Sequence, residues 1–214
     1  MAEVKICGLS EPETLGAALD GGAEFVGFMF YEPSPRNISY ETAQELSAQT
    51  GTRAKKVAVT VDADDEKLDR ICEALAPDYF QAHGSETPAR IEEIHTRTGV
   101  PVIKAIKVKD ATDIAEASAY AGTAEMILFD AKAPENLKGA LPGGNGISFD
   151  WSLIDGTEDR PRFMLSGGLH AGNLRQALEI TRAPIVDVSS GVESSPGIKD
   201  SNLIEAFVSA AKRL

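Results

Sequence analysis

Short runs of apolar and β-branched residues recur along the chain at 4–7 (VKIC), 25–30 (FVGFMF), 56–61 (KVAVTV), 79–83 (YFQAH), 101–106 (PVIKAI), 126–130 (MILFD), 162–166 (RFMLS) and 185–189 (IVDVS). Each is bounded by Gly, Pro, Asp or Ser, the punctuation of strand ends, so eight strands are predicted. Helical spacing fills the gaps between them. Asp64 and Asp65 can cap a helix whose apolar stripe is Leu68, Ile71, Cys72 and Leu75, an i, i+3, i+4, i+7 pattern. The last segment places Leu203, Ile204, Phe207, Val208 and Ala211 on one helical face. Gly51 and Gly99 stand where helices end in a left-handed glycine. A helix is also expected over 111–121, although that segment is rich in alanine and polar residues, and a short one around FDWSLI after a long loop at 131–147.

Strand, helix and strand in repetition imply parallel pairing through right-handed crossovers. Eight strands in 214 residues give about 27 residues per unit, a compact form of the (β/α)8 barrel (TIM barrel), which typically needs about 250. An open doubly wound sheet would show G-x-G-x-x-G after its first strand, and none is present. With no linker or low-complexity segment, residues 1–214 are expected to form a single barrel domain.

Composition narrows the partners. The 33 acidic and 21 basic residues leave a net charge of −12 and a pI near 4.7, against the basic face that nucleic acids or an anionic membrane demand. No apolar stretch approaches the roughly 18 residues of a membrane span, and the opening MAEVKICGLSEPE lacks signal-peptide character. A cytoplasmic enzyme is expected. Two cysteines, Cys7 and Cys72, exclude a disulfide framework or a four-cysteine zinc site. His95 and His170, on a helix and a turn, suggest no metal cluster.

Barrels of this kind carry their chemistry at the C-terminal ends of the strands. Those ends hold Cys7, the loop to Arg36, His83, Asp130, Ser166-Gly167-Gly168 and Ser189-Ser190-Gly191. Two Gly/Ser turns after strands seven and eight suit phosphate, because glycine lets backbone N–H groups approach the oxygens. Cys7 is either an inert core thiol or a nucleophile or base. Lys5 lies on the same strand face, where it either favours the Cys7 thiolate or pairs with Asp187 on strand eight. Asp130 either caps the next turn or projects into the site mouth, where it can pair with Cys7 as acid and base. Arg36, after the rigid Pro33-Ser34-Pro35 turn, can clamp a carboxylate or phosphate. His83, sharing a face with Gln81, is either a core histidine or a ligand contact. Cys72 reads as packing.

The segments KICGL (5–9), GFMFYEPSPR (27–36), QAHG (81–84), FDAKAP (129–134), GGNGISFDW (143–151), LSGGL (165–169) and VDVSSGVESSPGIKD (186–200), in that order, resemble the phosphoribosylanthranilate isomerase family of tryptophan biosynthesis. The resemblance spans essentially the whole chain. It implies a (β/α)8 barrel that performs an Amadori rearrangement of a phosphosugar–anthranilate substrate, with no metal or organic cofactor. By position it implies Cys7 as general base and Asp130 as general acid. It implies Arg36 on the anthranilate carboxylate, Gly144, Gly167, Gly168, Ser190 and Gly191 on the phosphate, and Asp187 on a sugar hydroxyl. Asn145, Ile147 and Ala82 depart from the residues common in the family. The rival readings are another phosphosugar isomerase or epimerase on the same barrel, and a non-catalytic phospho-ligand binder. A monomer is expected over a homodimer.

Overall fold

The computed structural model describes residues 1–132, 143–144, 146, 148–154 and 162–214. Eight parallel strands close into a barrel in the order of the chain: β1 (Glu3–Cys7), β2 (Phe25–Phe30), β3 (Lys55–Thr60), β4 (Tyr79–Ala82), β5 (Val102–Val108), β6 (Met126–Ala131), β7 (Phe163–Leu165) and β8 (Ile185–Val188), with β8 pairing back onto β1. Helices α1 (Pro12–Gly21), α2 (Tyr40–Thr50), α3 (Asp65–Leu75), α4 (Pro88–Thr98), α5 (Ala111–Glu116), α6 (Leu174–Thr181) and α7 (Ser201–Lys212) lie between or after them. No helix among the described residues is long and apolar enough to cross a membrane.

Period-two alternation sorts the strand residues into two cores. One face of the strands, including Val26, Phe28, Ala58 and Phe80, packs against the helices. The other, including Phe25, Val57, Val59, Ile103, Leu128 and Met164, fills the barrel interior together with Cys7. Helix starts follow local chemistry. Ser39, Asp64 and Thr87 accept hydrogen bonds from the backbone N–H groups of Thr42, Lys67 and Arg90, satisfying donors that the first turn leaves unpaired. Gly99 closes α4 in the left-handed conformation.

The structure amends four sequence expectations. The 111–121 segment is helical only to Glu116 and then tightens into a 3-10 turn over Ala117–Tyr120. The segment around FDWSLI is a single 3-10 turn, Trp151–Ile154. Leu203 is 40% exposed and leaves the α7 face to Ile204, Phe207, Val208 and Ala211. The third, fourth, seventh and eighth strands stop one residue before their expected ends, at Thr60, Ala82, Leu165 and Val188. Most of the loop expected at 131–147, with Asn145 and Ile147, lies outside the described residues, whereas Ala82 is buried in the core. Beyond β8 a small hairpin, β9 (Glu193–Ser195) and β10 (Ile198–Lys199), was not anticipated.

Candidate active site

The C-terminal ends of the strands open into a cavity with about 740 Å³ of empty space, part of it continuous with solvent. Cys7 and Asp130 line it from β1 and β6, with β7 and β8 between them around the barrel. Arg36, Asp187 and Gly144 line the same cavity, as do Gly167 and Gly168 after β7 and Ser190 and Gly191 after β8. The candidate acid, base and ligand-binding residues therefore meet in one place, from segments as far apart as Cys7 and Gly191.

Cys7 sits at the floor. Lys5, one layer below it on the same strand face, is fully buried, and its Nζ lies 2.8 Å from Asp187 Oδ1. Ser166 Oγ donates to the other Asp187 oxygen at 3.0 Å. Each oxygen of Asp187 is thus already engaged, leaving a sugar hydroxyl only the remaining lone pairs. Burial would lower the Lys5 ammonium, but Asp187 and Cys7 outweigh it and hold its pKa above the ordinary lysine value. Burial pushes the Cys7 thiol up. Lys5 pulls it down without prevailing, and Asp187 adds to the rise. Both readings of Lys5 are met in part: it pairs with Asp187 and pulls the Cys7 pKa down, but desolvation of the buried thiol outweighs that pull and leaves the pKa raised.

Asp130 is 4% exposed and accepts a hydrogen bond from its neighbour Ala131 N at 2.9 Å, through Oδ1. Of the two sequence readings, the one in which Asp130 faces the cavity is met, while its backbone partner Ala131 is the last residue of β6 and not part of a following turn. Its Oδ2 lies 3.2 Å from His83 Nε2, without the alignment of a hydrogen bond. His83 is a site residue as well: it lines the cavity, and its Nδ1 pairs with Gln81 Nε2 at 2.9 Å. With the amide nitrogen donating, Nδ1 accepts and the ring proton sits on Nε2, toward Asp130. Gly143 lies over this pair. A Cβ there would meet His83 Nε2 at 2.6 Å and Asp130 Oδ2 at 2.7 Å, so only glycine fits.

The turns after β7 and β8 pack backbone to backbone. A Cβ on Gly191 would stand 1.9 Å from Leu169 O, and Gly167 and Gly168 both take positive φ, +87° and +65°. Among the described residues no hydrogen bond occupies the backbone N–H groups of Gly168, Ser190 or Gly191. N–H groups without protein partners on adjacent turns are suited to an anion without any side-chain charge.

Arg36 is 4% exposed, and its stem crosses directly over Gly8, where a Cβ would meet Cδ at 2.6 Å. Its guanidinium is held by Glu193, Nε to Oε1 at 2.7 Å and Nη2 to Oε2 at 2.9 Å, while Nη2 also donates to Gly144 O at 3.2 Å. Lys199 Nζ lies 2.5 Å from Glu193 Oε1 and donates to Ser189 O at 2.9 Å. Burial lowers the Lys199 ammonium more than Glu193 raises it. On Glu193, burial acts upward, but Arg36 and Lys199 outweigh it and keep the carboxyl below its usual range. Sequence reasoning missed Glu193, Lys199 and Gly143. The first two stand inside the VDVSSGVESSPGIKD segment, but nothing local joins Glu193 to an arginine 157 residues away.

Among the described residues no cluster of three or more His, Cys, Asp or Glu side chains is arranged to hold a metal ion. The family model described as N-(5'-phosphoribosyl)anthranilate isomerase matches residues 4–210. The chain belongs to the phosphoribosylanthranilate isomerase family. A relative from Parvibaculum lavamentivorans, named N-(5'-phosphoribosyl)anthranilate isomerase, is 53% identical over 211 residues, covering 99% of this chain and 98% of its own. The phosphoribosyl anthranilate isomerase of Thermotoga maritima superposes with a TM-score of 0.88 at 39% identity over all of both chains. Generated monomers of that dimeric enzyme superpose at 0.85, with 36% identity over all of both chains. A phosphoribosyl anthranilate isomerase in complex with reduced 1-(o-carboxyphenylamino)-1-deoxyribulose 5-phosphate superposes at 0.86, with 36% identity and full coverage of both chains. That member of the isomerase family binds a ligand with a phosphate at one end and an aryl carboxylate at the other. The present cavity is lined by turns whose backbone N–H groups have no partner among the described residues, and by a buried arginine.

Proposed function

We propose that the chain converts N-(5-phosphoribosyl)anthranilate to 1-(2-carboxyphenylamino)-1-deoxyribulose 5-phosphate, with Asp130 as general acid and Cys7 as general base, as a cytoplasmic enzyme of tryptophan biosynthesis whose residues 1–214 form one catalytic domain. The observation that carries the assignment of roles is the approach of two proton-transfer groups to one cavity from β1 and β6, between an anion-receptive pair of turns and a fixed guanidinium.

The chemistry runs through two enzyme-assisted proton transfers, followed by tautomerisation. Asp130 donates its proton to the furanose ring oxygen as the C1–O bond breaks, and the anthranilate nitrogen supplies its lone pair to form C1=N⁺. The positive nitrogen makes the C2 proton acidic. Cys7 thiolate removes that proton, and the C2–H electrons form C1=C2 while the C=N pair returns to nitrogen. The resulting enolamine gives up its enol proton and gains one at C1, leaving the ketone and no net change in atoms or electrons. The phosphate stays on the turns of Gly167, Gly168, Ser190 and Gly191 with Gly144 nearby, the aryl carboxylate on Arg36, and a sugar hydroxyl at Asp187. Binding at both ends holds C2 over Cys7, where proximity does its work.

The chain is read as a monomer, whereas the Thermotoga maritima relative is described as dimeric. Sedimentation decides the point, a mass near 22.7 kDa marking the monomer.

The decisive assay follows anthranilate fluorescence as purified protein acts on freshly formed phosphoribosylanthranilate, with and without EDTA. Fluorescence is expected to fall at catalytic protein concentrations, unaffected by chelation. A folded sample that binds a phosphosugar without turnover overturns the reading in favour of another phosphosugar enzyme or a binding protein.

A further inference from the structure

We propose that Glu193 is a positioning residue that aims Arg36 at the substrate's aryl carboxylate, and that Lys199 restores to this buried cluster the positive charge that Glu193 removes. The proposal rests on the reading of Arg36 as the carboxylate grip and adds what makes that grip work.

A long arginine side chain is a poor receptor unless its fork is fixed beforehand. Here the backbone is fixed first: Ser34 N donates to Tyr31 O at 2.8 Å and Arg36 N to Ser34 Oγ at 3.2 Å. The stem then lies across Gly8, which has no side chain to obstruct it. Glu193 supplies the last constraint by taking Nε and one Nη2 hydrogen in a two-point contact. The fork is held through Nε and through both Nη2 hydrogens, one on Glu193 and one on Gly144 O, and among the described residues only Nη1 is left without a partner.

A buried arginine–carboxylate pair on its own carries no net charge and attracts an anion weakly. Lys199 changes that sum. Hairpin register sets Lys199 opposite Glu193, and Gly197 N donates to Glu193 Oε2 at 3.1 Å, so the hairpin delivers both charges together. Arg36, Glu193 and Lys199 then leave a net charge of about +1 in a low-dielectric pocket, where it acts strongly. Lys199 also donates to Ser189 O and Oγ. It thereby ties Glu193, which holds the fork, to Ser189, the residue before the Ser190–Gly191 turn.

The test separates aim from charge. Calorimetry on wild type and Glu193→Gln uses the reduced product analogue and its counterpart without the aryl carboxylate. Wild type prefers the carboxylated ligand; in Glu193→Gln that preference falls at least tenfold, while affinity for the other ligand stays within about twofold. A role through charge alone predicts the reverse, because the cluster rises to +2 and the preference grows. In kinetics KM rises with kcat nearly unchanged, the mark of lost uniform binding. In an Arg36→Met background Glu193→Gln has no further effect on the preference. If Glu193→Gln fails to fold, Glu193→Asp keeps the charge, withdraws it from the fork and lowers the preference likewise. An unchanged or increased preference overturns the proposal. Absence of any carboxylate preference in wild type overturns instead the reading of Arg36 on which it stands.

Discussion

Lys5 and Asp187 face each other across the β1–β8 seam as register partners, with Nζ and Oδ1 2.8 Å apart directly beneath Cys7. The seam that closes the barrel is also the floor of the site, so stability and proton chemistry share the same two charges. Removing one partner leaves the other buried and uncompensated. Lys5→Met is therefore expected to cost about 3–5 kcal/mol of stability, read as a lower urea midpoint. A midpoint within experimental error of wild type would refute this role for the pair.

The acidity of Cys7 gives a pH prediction. The base is the thiolate, so activity rises as pH passes through the Cys7 pKa. Burial, opposed by Lys5 and aided by Asp187, moves that pKa upward. The limb of kcat/KM assigned to Cys7 is thus expected to keep rising above about pH 8.5, the ordinary thiol midpoint, since kcat/KM reports the free enzyme. A plateau already complete at pH 7 would contradict the buried, neutral resting thiol.

Cys7→Ala and Asp130→Asn each remove one proton-transfer group and little volume. Turnover is expected to fall by about 10²–10⁴-fold in each, with circular dichroism unchanged and the reduced product analogue still bound. Near wild-type turnover in either variant would strip that residue of its role.

The phosphate-side turns leave no room for side chains. Gly168 has φ +65°, a conformation that a β-branched residue resists at about 1–3 kcal/mol. Gly168→Val is expected to weaken the phosphorylated analogue strongly by calorimetry. Gly191→Ala should do the same, because its Cβ would overlap Leu169 O and part the two turns. Unaltered affinity in both variants would place the phosphate elsewhere.

Much of the fold was legible because barrel strands repeat one local signal. Each is a short apolar run closed by a turn residue, and the run survives whatever packs on it. Weak local signals failed in informative ways. The alanine-rich 111–121 segment has too little apolar face to hold a long helix and breaks into a 3-10 turn. Leu203 matched the helical period and still points to solvent, because α7 meets the barrel along a narrower stripe than its sequence offers.

At the site, sequence alone determined which groups stand at strand ends, because strand period and strand order are local properties: Cys7 above Lys5, Asp130 after MILF, and two Gly/Ser turns late in the chain. Only the tertiary structure decided what those groups do to one another. Whether Lys5 or burial governs Cys7 depends on desolvation, which no local pattern records. That Arg36 is gripped by Glu193, and Glu193 balanced by Lys199, depends on barrel closure bringing together residues 157 positions apart. Periodicity is written residue by residue, but charge pairing and dielectric are properties of the closed barrel.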